Sequence, residues 1–238
     1  MGRAYAVREA KIKKTGAARG KLYTNFAKEI YLAAKNGGTS PEGNPSLKRL
    51  IEKAKKEQVP SDVIKRAIDK VTSGIGENYE VLTYEIFGPA GSTMLVECLT
   101  DNVNRSVSEV RAVINKSHLK MGSMGSVSYM YDNLSVVGFK GLTLDETMEA
   151  LIASDIPFID IENDNDLIII YGNPNDINKI KEAITNYKKD INFEIDEVTN
   201  LPKDKVKLQG EDLELFKRAL TLFDEVDDVS NVYHNVEL

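Results

Sequence analysis

Apolar residues recur at helical spacing through the first third of the chain. One such stripe follows Arg19 and ends at Gly37-Gly38, and two more follow Asn44-Pro45 and Pro60-Ser61. Asparagine caps helices, proline is favoured in the first turn, and glycine is typical of the end. The spacing therefore predicts three amphipathic helices whose stripes face one core. The stripes are Leu22, Phe26, Ile30 and Ala33, then Leu47, Leu50, Ile51 and Ala54, and then Ile64, Ala67, Ile68 and Val71.

From residue 81 the pattern changes to the two-residue alternation of strands. The order over residues 81–131 is strand, strand, helix, strand, and three strands with one helix bury too little surface to be stable alone. A helix over 212–223 and a strand over 229–237 supply the missing part, which predicts a discontinuous domain. The predicted strands of the first piece are Val81–Phe87, Thr93–Leu99 and Ser126–Tyr131. Its helix begins after Asn102 and carries Val103, Val107, Val110 and Ile114 on one face.

The stretch between these two pieces is complete in itself. Its predicted order is strand, helix, strand, strand, helix, strand, which is the ferredoxin-like order. Right-handed crossovers fix the topology of such a sheet, but the fold hosts too many activities to imply one. The elements are Val136–Lys140, Leu144–Ser154, Phe158–Glu162, Asp166–Tyr171, Ile177–Tyr187 and Phe193–Val198.

Charge divides the chain into two unequal parts. Residues 1–76 carry 17 Lys and Arg against 7 Asp and Glu, a net charge of +10, whereas residues 77–238 carry 14 against 30, a net charge of −16. Like charges on a small module repel each other, and a polyanion relieves that repulsion while it releases counterions. The segregation favours a nucleic-acid partner over the alternative, a helical domain whose lysines are only solvated.

These patterns together predict an α+β protein of three domains. Residues 1–76 form an N-terminal three-helix basic domain. Residues 77–133 and 205–238 form a discontinuous α+β domain, and residues 134–204 form a ferredoxin-like domain inserted in it. The second and third domains are α/β sandwiches. A length of 238 residues, 42% hydrophobic, suits this number of cores.

The candidate nucleic-acid contacts are cations that lie off the apolar stripes. No helix carries an obvious base-reading set of Asn, Gln and Arg, so we expect contact with phosphate rather than with bases. Asp101 and Asn102 have two interpretations: they cap the following helix, or its N-terminus with Asn104, Arg105 and Arg111 forms a second phosphate site. The candidates are Lys11, Lys13, Lys14, Arg19, Lys21 and Lys28, with Arg105 and Arg111 as weaker ones.

No motif of catalysis or metal binding is found. The acidic run Asp160–Asp166 lacks the glycine and the terminal glutamate of a calcium loop and is predicted to be a hairpin. The Gly-rich segments 88–91 and 122–126 precede strands and are interpreted as turns. His118 and His234 are isolated in sequence and have no zinc-ligand spacing. We therefore expect a protein that is not an enzyme and has no cofactor and no metal.

Two further observations concern the compartment. Cys98 is the single cysteine and lies in a predicted strand, where a buried thiol is expected rather than a nucleophile. A single cysteine excludes an internal disulfide and suits a reducing cytosol. No apolar run is long enough for a membrane span, and the N-terminus has no signal-peptide core. The expectation is a cytoplasmic protein with no membrane partner.

Several segments resemble one family. The run Val96–Arg105, continued by Glu109-Val110-Arg111, is similar to the signature of the YebC/PmpR family. Within the family the chain most resembles the YeeN-like branch, because it reads Gly2-Arg3-Ala4-Tyr5-Ala6 where other members have His-Ser-Lys-Trp. Further similar segments are Tyr84-Glu85, Phe87-Gly88-Pro89, Met121-Gly122, Gly125–Ser128, Arg19–Thr24, Glu29-Ile30 and Ala33-Ala34.

The resemblance implies a three-domain cytoplasmic protein that regulates transcription by binding DNA. Other members, among them the mitochondrial translational activator of cytochrome oxidase, act on ribosomes, so binding to ribosomal RNA as a translation factor is the alternative. A third hypothesis, which is compatible with both, is a protein-interaction scaffold in which the acidic domains dock a protein partner. The main hypothesis is a non-enzymatic, DNA-binding regulator of gene expression.

Overall fold

The computed structural model describes residues 19–73, 76 and 78–238. Its first part is a bundle of helices α1 (Arg19–Gly37), α2 (Pro45–Lys56) and α3 (Ser61–Thr72). Both α2 and α3 pack on α1. The predicted stripes meet in one core, as the helical spacing requires. The buried residues of this core are Phe26, Ile30, Ala34, Leu47, Ala54, Val59, Ile64 and Ala67.

Asn44 ties the first two helices together. Its Oδ1 accepts the N-cap hydrogen bond from the Leu47 N–H at 3.1 Å, as predicted for the start of α2. Its amide Nδ2 donates to the carbonyls of Ala33 and Gly38, each at 2.8 Å. A Cβ at Gly37 would lie 2.6 Å from that nitrogen, so glycine is needed there for the close approach. One buried amide thus caps α2 and fixes the end of α1.

The elements that follow alternate between strands and helices. Short 3₁₀ turns at Pro89–Gly91, Ser128–Met130 and Pro174–Asp176 join some of them. In chain order they are β1 (Glu80–Phe87), β2 (Thr93–Thr100), α4 (Val103–Lys116), β3 (Lys120–Met121), β4 (Tyr131–Phe139), α5 (Leu144–Ala153), β5 (Asp160–Asp164), β6 (Leu167–Gly172), α6 (Ile177–Tyr187), β7 (Phe193–Pro202), α7 (Gly210–Glu225) and β8 (Val229–His234).

The first sheet combines strands from distant parts of the chain. Its order is β3-β1-β2-β8, and all neighbours are antiparallel. Helices α4 and α7 cover one face, where α7 contributes Phe216, Ala219 and Phe223 to the core. Half of the fourteen buried residues of this core come from residues 208–236 and half from residues 86–114. The tail of the chain therefore completes the sheet, as the incomplete first piece predicted.

The second sheet has the order β5-β6-β4-β7, again with all neighbours antiparallel. With α5 and α6 this is the ferredoxin-like topology that the element order predicted. The run Leu167–Tyr171 is buried on both faces of β6, which explains why it is apolar throughout rather than alternating. Gly138 on β4 is needed because a Cβ there would lie 2.9 Å from Ile195.

Contacts divide the chain into two compact units. One contains residues 129–205, and the other contains the helical bundle, the sheet residues up to 128 and residues 206–236. The α+β fold class is thereby confirmed. The predicted domain boundaries, 1–76, 77–133 plus 205–238, and 134–204, stay a prediction.

One predicted strand is wrong. Residues 126–130 form a bend and a 3₁₀ turn instead of the strand Ser126–Tyr131, and the third strand of the first sheet is the two-residue β3. This segment does not form a strand because the backbone N–H groups of Gly125, Val127 and Ser128 donate to the buried carboxylate of Glu85. These N–H groups are then not available for hydrogen bonds between strands. Tyr131 instead begins β4 of the second sheet. The acidic run forms the predicted hairpin, with Asn165 and Asp166 at positive φ between β5 and β6.

Cys98 is fully buried in β2, as expected. Burial raises the pKa of its thiol to about 11, so almost no thiolate is present near neutral pH. We expect the thiol to resist iodoacetamide in the native protein and to react completely in urea, with mass spectrometry as the readout. Alkylation of the native protein at the rate of the unfolded chain would contradict the burial of β2.

Candidate nucleic-acid interface

Lysines at seven-residue intervals mark one face of α1. Lys21, Lys28 and Lys35 are two helical turns apart, so they lie in a row. This row does not point freely into solvent: the side chains of Lys21 and Lys28 are only 16% and 11% exposed. The structure places it against polar groups of the same compact unit, which contains both the bundle and the first sheet.

Lys21 binds the C-terminal end of α7. Its Nζ donates to the Asp224 carbonyl at 2.6 Å and to the Phe223 carbonyl at 3.4 Å. The last carbonyls of a helix lack partners within the helix and carry partial negative charge, which a lysine stabilises. Burial lowers the pKa of Lys21, and the nearby Asp224 and Asp227 carboxylates act in the opposite direction.

Lys28 binds groups at the end of β2. Its Nζ donates to the Leu99 carbonyl at 2.9 Å and to Asp228 Oδ1 at 3.2 Å, and it lies 5.8 Å from the centre of the Tyr79 ring. The Asp228 side chain is 2% exposed. A buried carboxylate is stable only when cations and hydrogen-bond donors surround it. Lys28 is therefore part of the structure that holds α1 on the first sheet.

Arg105 is the second cation on Asp228. Its Nε donates to Asp228 Oδ2 at 3.0 Å and its Nη2 to Oδ1 at 2.9 Å, the two-point geometry that a guanidinium allows. The same Nη2 lies 2.7 Å from Asp101 Oδ1, and Thr100 Oγ1 donates to Asp228 Oδ2 at 2.8 Å. Hydrogen bonds to Asp101 and Asp228 raise the pKa of Arg105, and the Arg105 bond lowers the pKa of Asp101. We call Asp228, Thr100, Arg105 and Lys28 the Asp228 cluster.

The start of α4 tests the first interpretation of Asp101 and Asn102, that they cap this helix. The Asn102 side chain accepts a hydrogen bond from the Arg105 N–H at 3.1 Å and is the N-cap of α4. The capping role of Asn102 is thus confirmed. An open cleft of about 570 Å³ adjoins the Asp228 cluster, and its lining mixes cations with the carboxylates of Asp101, Glu109 and Asp227. Such mixed charge does not favour a polyanion at this point.

The other sequence-predicted contacts lie elsewhere. Arg19 is exposed at the first residue of α1, and Arg111 is exposed on α4. Lys11, Lys13 and Lys14 lie outside the described residues. Of the five candidates that the structure describes, Lys28 and Arg105 are brought together on one carboxylate.

Further exposed cations lie on α2 and α3. Lys48 and Lys55 on α2 and Lys65 on α3 are exposed, and within the described ranges they form no ion pair. Arg49 and Lys53 on α2 are half-buried and also form none. Because α2 and α3 pack on α1 with their apolar stripes, these side chains lie on the outer faces of the bundle. The lack of an ion pair at these cations is visible only in the fold.

The described part of the chain contains neither a cluster of metal ligands nor a helix suited to a membrane. Across residues 19–73, 76 and 78–238, side chains of His, Cys, Asp and Glu do not assemble into a group of three or more that could hold a metal ion. Within these same ranges, every helix is too short or too polar to cross a membrane.

Comparison with known proteins connects this architecture to a family. A family model for the TACO1/YebC protein N-terminal domain matches residues 3–74, and one for the TACO1/YebC second and third domain matches residues 79–236. A probable transcriptional regulatory protein of Shewanella oneidensis is 42% identical over 238 residues, 100% of this chain and 99% of the relative. One from Vibrio cholerae is 41% identical and is covered completely.

A solved structure has the same fold. The crystal structure of a conserved hypothetical protein from Aquifex aeolicus superposes with a TM-score of 0.74 and 32% identity, over 93% of this chain and 91% of that one. The family models together span both compact units, and the relatives align from end to end. The chain belongs to the TACO1/YebC family.

Proposed function

We propose that this protein is a non-enzymatic regulator of gene expression that binds nucleic acid through its basic N-terminal part, with DNA as the target and transcription as the regulated step. The observation that carries the proposal is the surface of α2 and α3, where Lys48, Lys55 and Lys65 are exposed and form no ion pair with a described residue. Cations in such a position gain most from phosphate, because no internal pair must be broken first.

The relatives support the regulatory part of the proposal. Those from Shewanella oneidensis and Vibrio cholerae are named probable transcriptional regulatory proteins. Regulation of transcription is carried over from these names to this chain as a proposal, and contact with DNA in the cytoplasm is the form of regulation that we propose. Phosphate contacts fix a protein on nucleic acid without reading its sequence, so we expect little preference between sequences.

The Asp228 cluster changes which cations the proposal assigns to phosphate. We assign Lys11, Lys13, Lys14, Arg19 and Arg111 to phosphate, together with Lys48, Lys55 and Lys65. Lys21, Lys28 and Arg105 already have carboxylate or carbonyl partners, and we assign them to holding α1 and α4 on the first sheet.

Removing the exposed cations tests the proposal. In the variant Lys48→Gln, Lys55→Gln, Lys65→Gln, each lost phosphate contact should reduce the slope of log affinity against log salt by about 0.9 on duplex DNA. The same relation gives about an eightfold loss of affinity per contact at 0.1 M salt. Fluorescence anisotropy with labelled duplex DNA, titrated from low to physiological salt, measures both quantities.

The matched control removes the same charge from the other compact unit. This control is the triple variant Lys140→Gln, Lys189→Gln, Lys203→Gln, which lowers the net charge equally but lies in residues 129–205. Its slope of log affinity against log salt should equal that of the wild type. If both triple variants lose affinity equally, only net charge matters and the proposed surface is wrong. Parallel sedimentation with ribosomes distinguishes the target: ribosome binding that depends on these lysines, with weak DNA binding by the wild type, would replace transcription by translation.

A further inference from the structure

A loop beside the first sheet is held by a buried carboxylate. Glu85 on β1 is 6% exposed, and its side chain accepts hydrogen bonds from the backbone N–H groups of Gly125 at 2.6 Å, of Ser128 at 2.9 Å and of Val127. Burial acts to raise the pKa of Glu85, but these backbone donors outweigh it and lower the pKa. A charged carboxylate with three donors fixes the loop, because moving the loop would leave that charge buried without partners.

Two more contacts fix the base of this loop. The Gly122 N–H donates to the Glu85 carbonyl at 2.7 Å, and Ser126 Oγ donates to the Ser123 carbonyl at 2.7 Å. A Cβ at Gly122 would lie 2.3 Å from Ser126 Oγ, so the turn closes too tightly for another residue. We call residues 122–128 the Glu85 loop.

The Glu85 loop presents Met124 to solvent. This side chain is 99% exposed, whereas most other large apolar side chains in the same compact unit are buried or half-buried. A methionine at the tip of a fixed loop gains free energy only when a partner covers it and removes its apolar surface from water. A single exposed apolar residue is ordinary, but here a buried carboxylate binds the backbone of the loop that carries it.

The charges around the loop indicate what that partner is. Between Glu109 and Asp132 the sequence has no acidic residue, although residues 77–238 as a whole have a net charge of −16. The same stretch carries Arg111, Lys116 and Lys120, all exposed. This is the charge that a polyanion requires, within a part of the chain that otherwise repels one.

Helix α4 extends this surface. Asn104, Ser108, Arg111 and Asn115 are exposed and lie at intervals of four, three and four residues, which makes one row along the helix. Amide, hydroxyl and guanidinium groups of this kind bind phosphate and sugar oxygens. Helix α4 contacts β3, and the Glu85 loop follows β3 directly in the chain, so the helix and the loop adjoin the same strand.

We propose that Met124 is an apolar wedge that enters the base stack of a bound nucleic acid while the row on α4 contacts its backbone. Apolar side chains held at a protein surface, methionine among them, unstack base steps in this way. The inference rests on the proposed function. In addition to the phosphate contacts of the bundle, it gives the protein a contact that distorts the nucleic acid.

The test uses the full chain with duplex DNA and an RNA hairpin, each carrying 2-aminopurine, whose fluorescence rises on unstacking. Wild-type protein should raise the fluorescence, and Met124→Ala should abolish the rise and weaken binding by about tenfold. The DNA and RNA arms show which polymer is distorted. Because Met124 is fully exposed, its replacement should leave thermal unfolding unchanged.

Two further variants make the result specific. Met148→Ala, at a partly exposed methionine in the other compact unit, should behave as the wild type. Glu85→Gln keeps Met124 but frees the loop, and it should lower the fluorescence rise more than it lowers the affinity. Binding without any fluorescence change, or a rise that survives Met124→Ala, overturns the wedge and leaves the proposed function intact. Absence of binding by the wild type in both arms overturns the proposed function and the wedge together.

Discussion

Deleting residues 206–238 is expected to unfold the first sheet and to leave the second sheet folded. The deletion removes β8, α7 and half of the buried residues of the core, among them Phe216 and Phe223, which are fully buried. Replacing one buried phenylalanine by alanine costs about 3–5 kcal/mol, and a whole domain is stable by only about 5–15 kcal/mol. Loss of seven core residues therefore exceeds any stability that the remaining sheet has.

Hydrogen exchange measures this outcome residue by residue. Amides of β2 and α4, over residues 93–114, should lose protection in the truncated protein. Amides of β4 and β6 are the internal control, because all strands of their sheet lie within residues 131–202 and should keep native protection. Native protection across residues 93–114 after the deletion would show that the first sheet does not need the tail.

Asp228→Asn is the point substitution with the largest expected effect. The amide keeps the shape of the carboxylate but removes the charge that Lys28 and Arg105 share. Breaking a buried ion pair costs about 3–5 kcal/mol, because the partner charges stay buried. We expect the lower end, about 3 kcal/mol, since Arg105 is 42% exposed and regains water. Urea unfolding followed by circular dichroism measures the difference.

The neighbouring residue provides the control. Asp227→Asn makes the same chemical change at an exposed position and should alter the free energy of unfolding by no more than about 0.5 kcal/mol. Adding Lys28→Met to Asp228→Asn should cost less than the sum of the single changes, because one uncompensated cation is removed. If Asp228→Asn changes the free energy of unfolding by no more than Asp227→Asn does, the Asp228 cluster does not hold the bundle on the first sheet.

Sequence patterns were sufficient for the fold where local periodicity and caps agree. The stripes of α1 to α3, the cap at Asn44 and the ferredoxin-like order all follow from spacing and from residue type. The strand predicted over residues 126–131 failed because its conformation depends on Glu85, forty residues earlier. Hydrogen bonds to a distant side chain leave no periodic signal.

The candidate site was less predictable for a related reason. Lys21 and Lys28 lie off the apolar stripe, and a polar position on a helix can face either water or a polar interface. Their partners Asp224 and Asp228 are about two hundred residues away in sequence. Only the fold shows that these lysines bind within the chain, whereas Lys55 and Lys65 form no ion pair with any residue that the structure describes.

The division of the first core between two distant segments also sets an order of events during synthesis. Thr100 and its partner Asp228 are separated by 128 positions, which a ribosome at 5–20 residues per second covers in roughly 6 to 26 s. During that interval every element of the second sheet is made, and the apolar face of β2 has no covering helix α7 until residues 210–225 follow. Nascent chains of this fold therefore pass through a stage with one finished sheet and one open apolar surface, at which chaperone binding and aggregation compete.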